Sequence, residues 1–301
     1  MKNNMLDIIK YRKIFFTISG LLVGASLVLL LMFGLNFGID FTGGSLIQLK
    51  FDNRPEVQQI EDTLKPMNLG SLRVKPTGEN STILKMEFIK EDTHQEILSR
   101  IRKDFETENN KVIEEKVNTI GPAISSELKE NSIYAAIGVI LAIIGYVAYA
   151  FRNVSKPVAS WKYGLTAIFA LVHDVLITMG VFVILGQVVP VEVNIPFAVA
   201  MLTILGYSVN DTIVIFDRIR EKLNKLGVAK FRQSIVEGVN STLVRSVNTS
   251  LTTLAVLFAL FLFGGDSIHY FSLALIIGVA LGTYSSIFLA SPLLYVWNQI
   301  K

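Results

Sequence analysis

The chain has 301 residues, of which 51% are hydrophobic and 18% charged, with a mean hydropathy of +0.50 and a formal charge of +3. Soluble domains of this size carry nearer a quarter of their residues as charges, so the composition excludes an ordinary soluble protein and indicates a membrane one. There is no cysteine, which excludes disulfides, thiolate nucleophiles and zinc–thiolate sites. His94, His173 and His269 are the only histidines and are not spaced as metal ligands, so no metal or other cofactor is expected.

Six apolar segments follow in order: 14–35, 133–151, 163–185, 195–215, 243–263 and 271–294. Each has about 20 residues, enough to cross roughly 30 Å of hydrocarbon. The first follows Lys2, Lys10, Arg12 and Lys13, as a signal peptide would. Its apolar run is too long, however, and no small-residue cleavage site follows, so an uncleaved anchor is expected. The sixth contains Gly282, Ser285, Ser286 and Pro292, which points to close helix packing. The stretches 1–13, 152–162, 216–242 and the tail hold four, three, six and one Lys/Arg, ending at Lys301, whereas the loops 186–194 and 264–270 hold none. The positive-inside rule then puts both termini in the cytoplasm.

Residues 36–132 form a long loop that reads as a domain. Residues 45–51 alternate as a strand, 57–64 suggest a helix after Pro55, and 71–75 and 82–88 suggest strands around a turn at 77–80. Residues 93–105 form an amphipathic helix with Ile97, Ile101 and Phe105 on one face, and 111–117 alternate again. The order β-α-β-β-α-β suggests a ferredoxin-like unit. Gly121-Pro122 marks a break before the next helix. No phosphate loop or catalytic constellation occurs, so the domain reads as a binding or mechanical module and the chain as no enzyme. The expected fold is a polytopic α-helical membrane protein. Its parts are 1–35 (N-terminus and first span), 36–132 (extracytoplasmic α+β domain) and 133–301 (a five-helix bundle).

Three of the spans carry ionisable groups: His173 and Asp174, then Asp211, then Arg245. A charge at mid-bilayer costs about 2.5–3.5 kcal/mol on insertion scales, so such groups face the bundle interior and find partners. In the fifth span Ser241, Arg245, Asn248, Thr249 and Thr252 recur at helical spacing as one polar stripe. Ser208 lies three residues before Asp211, and Asp174 four before Thr178. Two carboxylates and a guanidinium are thus expected to meet in a polar core. One reading is a proton path, since low dielectric and a nearby guanidinium pull a carboxyl's proton affinity in opposite directions; sodium is an alternative ion. The other is a static ion pair. His173 is either a proton relay or a packing histidine, and Asn210 a helix–helix hydrogen bond. Glu192 and Asp266 read as solvated loop charges, and the charged run 217–232 as an amphipathic helix at the membrane surface. Within Asn36–Leu46, NFGIDFTGGSL, Gly38 and Asp40 precede Gly43-Gly44, a pair free to adopt unusual backbone angles and so a turn feeding a strand.

GIDFTGG at 38–44 resembles the signature after the first helix in the SecD/SecF family. GYSVNDTIVIFDRIRE at 206–221 and TLVRSVNTSLTTLAVLFALFLFGG at 242–265 resemble the fourth and fifth helices on the SecF side of that family. Gly121-Pro122, Glu127-Leu128 and His173-Asp174 agree with it. The family is the Sec-translocon branch of the resistance–nodulation–division superfamily. The resemblance implies a multi-pass protein of the bacterial inner membrane, paired with SecD and associated with SecYEG and YajC. It would help draw preproteins out of the channel with the proton gradient, and nucleic acid is no partner. It also implies proton-transport roles for Asp211 and Arg245. A second reading is half of a small-molecule or lipid exporter of the same superfamily.

Overall fold

The computed structural model describes residues 5–151, 158–189 and 191–299. Of the basic residues counted above, Lys2, Arg152, Lys156 and Lys301 lie outside the described residues, as does the side chain of Asp266. Contacts divide the chain into two units, Phe37–Ile133 and Met1–Asn36 with Tyr134–Lys301.

The smaller unit contains the short helix α2 (Ile39–Thr42), β1 (Gly44–Phe51), α3 (Val57–Leu64), β2 (Arg73–Thr77), β3 (Ser81–Met86), α4 (Glu91–Phe105) and β4 (Val112–Ile120). Its four strands are ordered β2-β3-β1-β4 and every neighbouring pair is antiparallel. That is the arrangement expected of a ferredoxin-like βαββαβ unit. Alternation along β1 places Ile47, Leu49 and Phe51 in a core with Ile60 and Leu64 of α3 and Ile97 and Ile101 of α4. The helices therefore cover one face, while Gln48 and Lys50 on the other reach Glu115. A capping box between Glu56 and Gln59 starts α3. Buried His94 ties α4 to the sheet, with Nδ1 3.2 Å from Glu91 and Nε2 3.3 Å from Glu114. A hydrogen bond from Gln95, and then His94, hold the exposed Glu91 carboxyl below its ordinary range.

Alternation did not reveal α2. It fits between Gly38, extended at its N-cap, and Gly43, whose φ of 70° ends it. At Gly44 (φ 126°) a β-carbon would lie 2.6 Å from the Met86 carbonyl oxygen. The glycine pair thus turns the chain from α2 into the middle of the sheet, where Gly44 pairs with Ile120 and Ser45 with Met86.

The larger unit is helical: α1 (Arg12–Phe33), α5 (Pro122–Ala150, which starts in the smaller unit), α6 (Ser160–Val188), α7 (Ile195–Leu226) and α8 (Phe231–Phe263), then α9 (Asp266–Tyr284), a π-helical stretch (Ser285–Ala290) and α10 (Ser291–Gln299) as one continuous rod. Among the described residues six helices are long and apolar enough to cross a membrane. Most outrun their apolar segments. The charged run 217–232 is not a separate surface helix: α7 continues through it to Leu226, Gly227 breaks the chain at φ 81°, and α8 starts at Phe231. Buried Ile219, Leu223, Phe231 and Ile235 hold this hairpin together. Lys222 pairs with Glu237 across it at 3.5 Å, and Glu221 pairs with Arg218 and Lys225 along α7.

Small residues let the helices approach. On α9, Gly278 meets Ile204 and Gly282 meets Ser208 of α7, a Gly-x-x-x-Gly contact. Gly180 of α6 meets Ser26 of α1 in the same way. At the start of α10, Ser291 Oγ donates back into the π stretch, to the Ser286 carbonyl at 2.9 Å. Pro292, which has no N–H to give the preceding turn, accounts for the irregularity.

Candidate functional site

The ionisable groups of the bundle form two sites. In the first, Asp174 of α6 is fully buried. Its Oδ1 lies 2.9 Å from Nδ1 of His173, and Oδ2 accepts from Ser208 of α7 at 2.6 Å and from Ser285 of the π stretch at 2.8 Å. Beside it, Thr212 and Ser286 share a hydrogen bond of 2.7 Å. Thr178 donates to the Asp174 carbonyl and adds nothing to the carboxylate. The imidazole of His173 is stacked near Tyr284, with ring centres 6.1 Å apart, and its Nε2 is buried without a hydrogen-bond partner.

In the second site, half-buried Asp211 of α7 accepts from Ser246 of α8 at 2.5 Å through Oδ1, while Oδ2 is buried without a partner. Arg245 precedes Ser246 but is exposed, and among the described residues it closes no ion pair with Asp211. The expected convergence of two carboxylates and a guanidinium is therefore not seen within this chain. Ser208 turns to Asp174, and Asp211, three residues on, turns to α8 instead.

The polar stripe also faces the other way. Arg245, Asn248, Thr249 and Thr252 are exposed, and the two threonines bond only to α8's own carbonyls. The face of α8 that packs inward carries Thr242, Ser246 and Ser250. Ser250 reaches Thr283 of α9 at 2.5 Å and accepts from Tyr207 of α7 at 3.2 Å. Asn210, expected to join helices, is exposed beside Asp211 and makes no side-chain hydrogen bond among the described residues. Sequence reading missed Ser246, Thr212 and Ser250 and took Ser285 and Ser286 for packing alone. The available signal was the four-residue spacing of 242, 246 and 250 next to the more conspicuous arginine stripe.

Gly38 and half-buried Asp40, at the N-terminal end of α2, and Gly43-Gly44 belong to the smaller unit, where they shape the start of the sheet. Among the described residues no cluster of three His, Asp or Glu side chains is placed to hold a metal ion.

The two sites and the glycine turn lie in regions that known proteins share. The family model described as protein export membrane protein SecD/SecF, C-terminal, matches residues 100–300, and the SecD/SecF GG motif matches 28–53. Protein translocase subunit SecF from Thermobaculum terrenum is 38% identical, covering 98% of this chain and 95% of its own. That from Sebaldella termitidis is 41% identical, covering 98% and 93%. The crystal structure of SecDF from Thermus thermophilus, described as a translocon-associated membrane protein, is 30% identical with a TM-score of 0.84 over 99% of this chain. SecDF in a super-membrane-facing form gives 0.70. This chain spans 39% of either SecDF chain. The expected fold, six spans and a small ferredoxin-like α+β domain between the first two, is borne out, and the chain belongs, as a multi-pass membrane protein, to the SecF side of the SecD/SecF family of protein-export proteins.

Proposed function

We propose that this chain is the SecF-type half of a SecD–SecF assembly that couples the proton gradient to preprotein export through the SecYEG channel, without covalent catalysis. Its termini are cytoplasmic and its small domain extracytoplasmic, in a bacterial inner membrane, as the basic-residue asymmetry supports. The observation that carries the reading is the polar face of α8. Arg245, Asn248, Thr249 and Thr252 are exposed in a helix of membrane-spanning length, next to a carboxylate with one oxygen unpartnered. Lipid is a poor solvent for that face, since an arginine at mid-bilayer costs about 2.5–3.5 kcal/mol. A second bundle covering it would enclose Asp211 and Arg245 together. The greater length of the SecDF relatives supports SecD as that second bundle.

Within the closed pair, a proton and the Arg245 guanidinium would compete for the same Asp211 carboxylate. Proton arrival frees the guanidinium and proton loss recaptures it, so a change of charge becomes a change of helix contact. The drive is about 2.3 kcal/mol per charge per 100 mV. Asp174, closed by His173, Ser208 and Ser285, serves as the inner station of the same path.

The test is export of a secreted reporter in cells whose only copy is a variant. Asp211→Asn is expected to abolish gradient-dependent export while the protein still accumulates in the membrane. Arg245→Lys is expected to impair it, because a compact ammonium does not reproduce a planar fork. Normal export by Asp211→Asn would sink the proton path. Loss of folded protein in both variants would favour a static ion pair, and export that tracks sodium would reassign the ion.

A further inference from the structure

On the side of the bundle formed by α1, α6 and α10, a recess of about 550 Å³ opens. No residue of α7 or α8 lines it. Its walls are almost entirely apolar, with Phe16 and Gly20 from α1, Phe169 from α6, Leu289 from the π stretch, and Leu293 and Trp297 from the end of the rod. A site so poor in polar partners does not hold ordered water. Gly20 borders open space, where a β-carbon would meet no atom within 4 Å. From Leu289 to Trp297 the recess runs eight residues, about 12 Å at 1.5 Å per residue. That is close to one leaflet of a bilayer whose hydrocarbon is about 30 Å thick.

The two ends differ. At one is His173, 3% exposed, with Nδ1 engaged by Asp174 and Nε2 unpartnered. At the other, a cation sits between aromatic rings. Lys162 Nζ lies 5.3 Å from the centre of the Trp297 ring, 5.8 Å from that of Trp161 and 3.4 Å from the Trp297 carbonyl oxygen. The Arg12 guanidinium, one helical turn before Phe16, is held away from the recess, over the Tyr295 ring at 5.4 Å and donating to the Ile9 carbonyl oxygen at 2.9 Å. Tryptophan and tyrosine with basic residues are the composition of a membrane–water interface, and basic pockets between spans take anionic headgroups.

We propose that this recess binds a single anionic phospholipid, one acyl chain along α1 and α10 and its phosphodiester at Lys162. Hydrocarbon outside the recess is as apolar as hydrocarbon within it, so the choice of lipid comes from the basic end. The far end of the chain walls His173 off from the bilayer side, leaving the Asp174 site to exchange through its hydroxyl-lined face.

The full chain, purified in neutral detergent and stripped of lipid, is titrated with phosphatidylglycerol or phosphatidylcholine and read by native mass spectrometry. One phosphatidylglycerol should be retained per chain in preference to phosphatidylcholine. Lys162→Gln should lower that preference roughly fivefold, the loss expected for one cation at a membrane surface. Gly20→Leu should abolish retention of both lipids by filling the recess, with an unchanged thermal midpoint as the check on folding. Should Gly20→Leu not fold, Lys162→Gln decides the matter. Equal retention by wild type and Gly20→Leu, or no preference for the anionic lipid, overturns the proposal. So does full competition by glycerol 3-phosphate, which would make the site one for free phosphate.

Discussion

Gly44 meets two demands that no other residue satisfies together. Its φ of 126° lies where side chains are strained, and the space a β-carbon would need is taken by the Met86 carbonyl oxygen 2.6 Å away. Gly44→Ala is expected to cost about 1–3 kcal/mol from the backbone alone, with the clash in addition. The loss should appear as faster hydrogen exchange at amides of β1 and β4. Gly78→Ala provides the contrast: its φ is 55° but its surroundings are open, so it should cost less. Equal effects would remove the close approach as the cause. The sequence of this turn showed that glycine was needed, but not that a carbonyl from β3 was the reason, because that contact joins residues 42 positions apart. Ser246 was obscured for a different reason. A serine in an apolar helix signals little by itself, and Arg245 beside it drew attention to the wrong face.

At the scale of helices, the contact of α9 with α7 depends on two missing side chains. A β-carbon on Gly282 would lie 2.9 Å from the Ser208 β-carbon and 3.2 Å from its hydroxyl. That hydroxyl donates to Asp174. Gly282→Ala should therefore both overpack the helix pair, by about 1–3 kcal/mol, and push Ser208 away from the carboxylate. A lowered thermal midpoint in detergent would register the first effect. An unchanged midpoint would mean that α9 retreats freely and that the glycine is not a packing requirement. Span existence was legible from hydropathy, and the strands of the small domain from alternation. Span ends were not, because α7 and α8 extend past their apolar segments on ion pairs such as Lys222–Glu237, which hydropathy counts against a helix.

The whole chain presents a polar face on α8 that its own helices do not cover. Since there is no native cysteine, Asn248→Cys would give a clean probe of that face. A nitroxide attached there should collide often with dissolved oxygen, as lipid-facing sites do, when the chain is alone, and should lose most of that access once a SecD-type partner is bound. Equal access in both states would place the partner elsewhere. The buried charges were legible as a set, but their division into an Asp174 site and an Asp211 site was not. Helical spacing gives the direction of a side chain within one helix, and it leaves open which neighbour, or which second chain, stands opposite. The π stretch Ser285–Ala290 adds a further point. It takes up one residue more than regular α-turns would. At its start the rod offers Ser285 to Asp174; beyond it, Leu293 and Trp297 face the recess. Removing one residue from 286–290 would restore a regular helix with Leu293 and Trp297 still towards the recess, whereas straightening the stretch at its present length would turn all that follows by about 100° and carry the recess wall away. The extra residue is absorbed where it stands, so this stretch should tolerate loss of one residue better than gain of another.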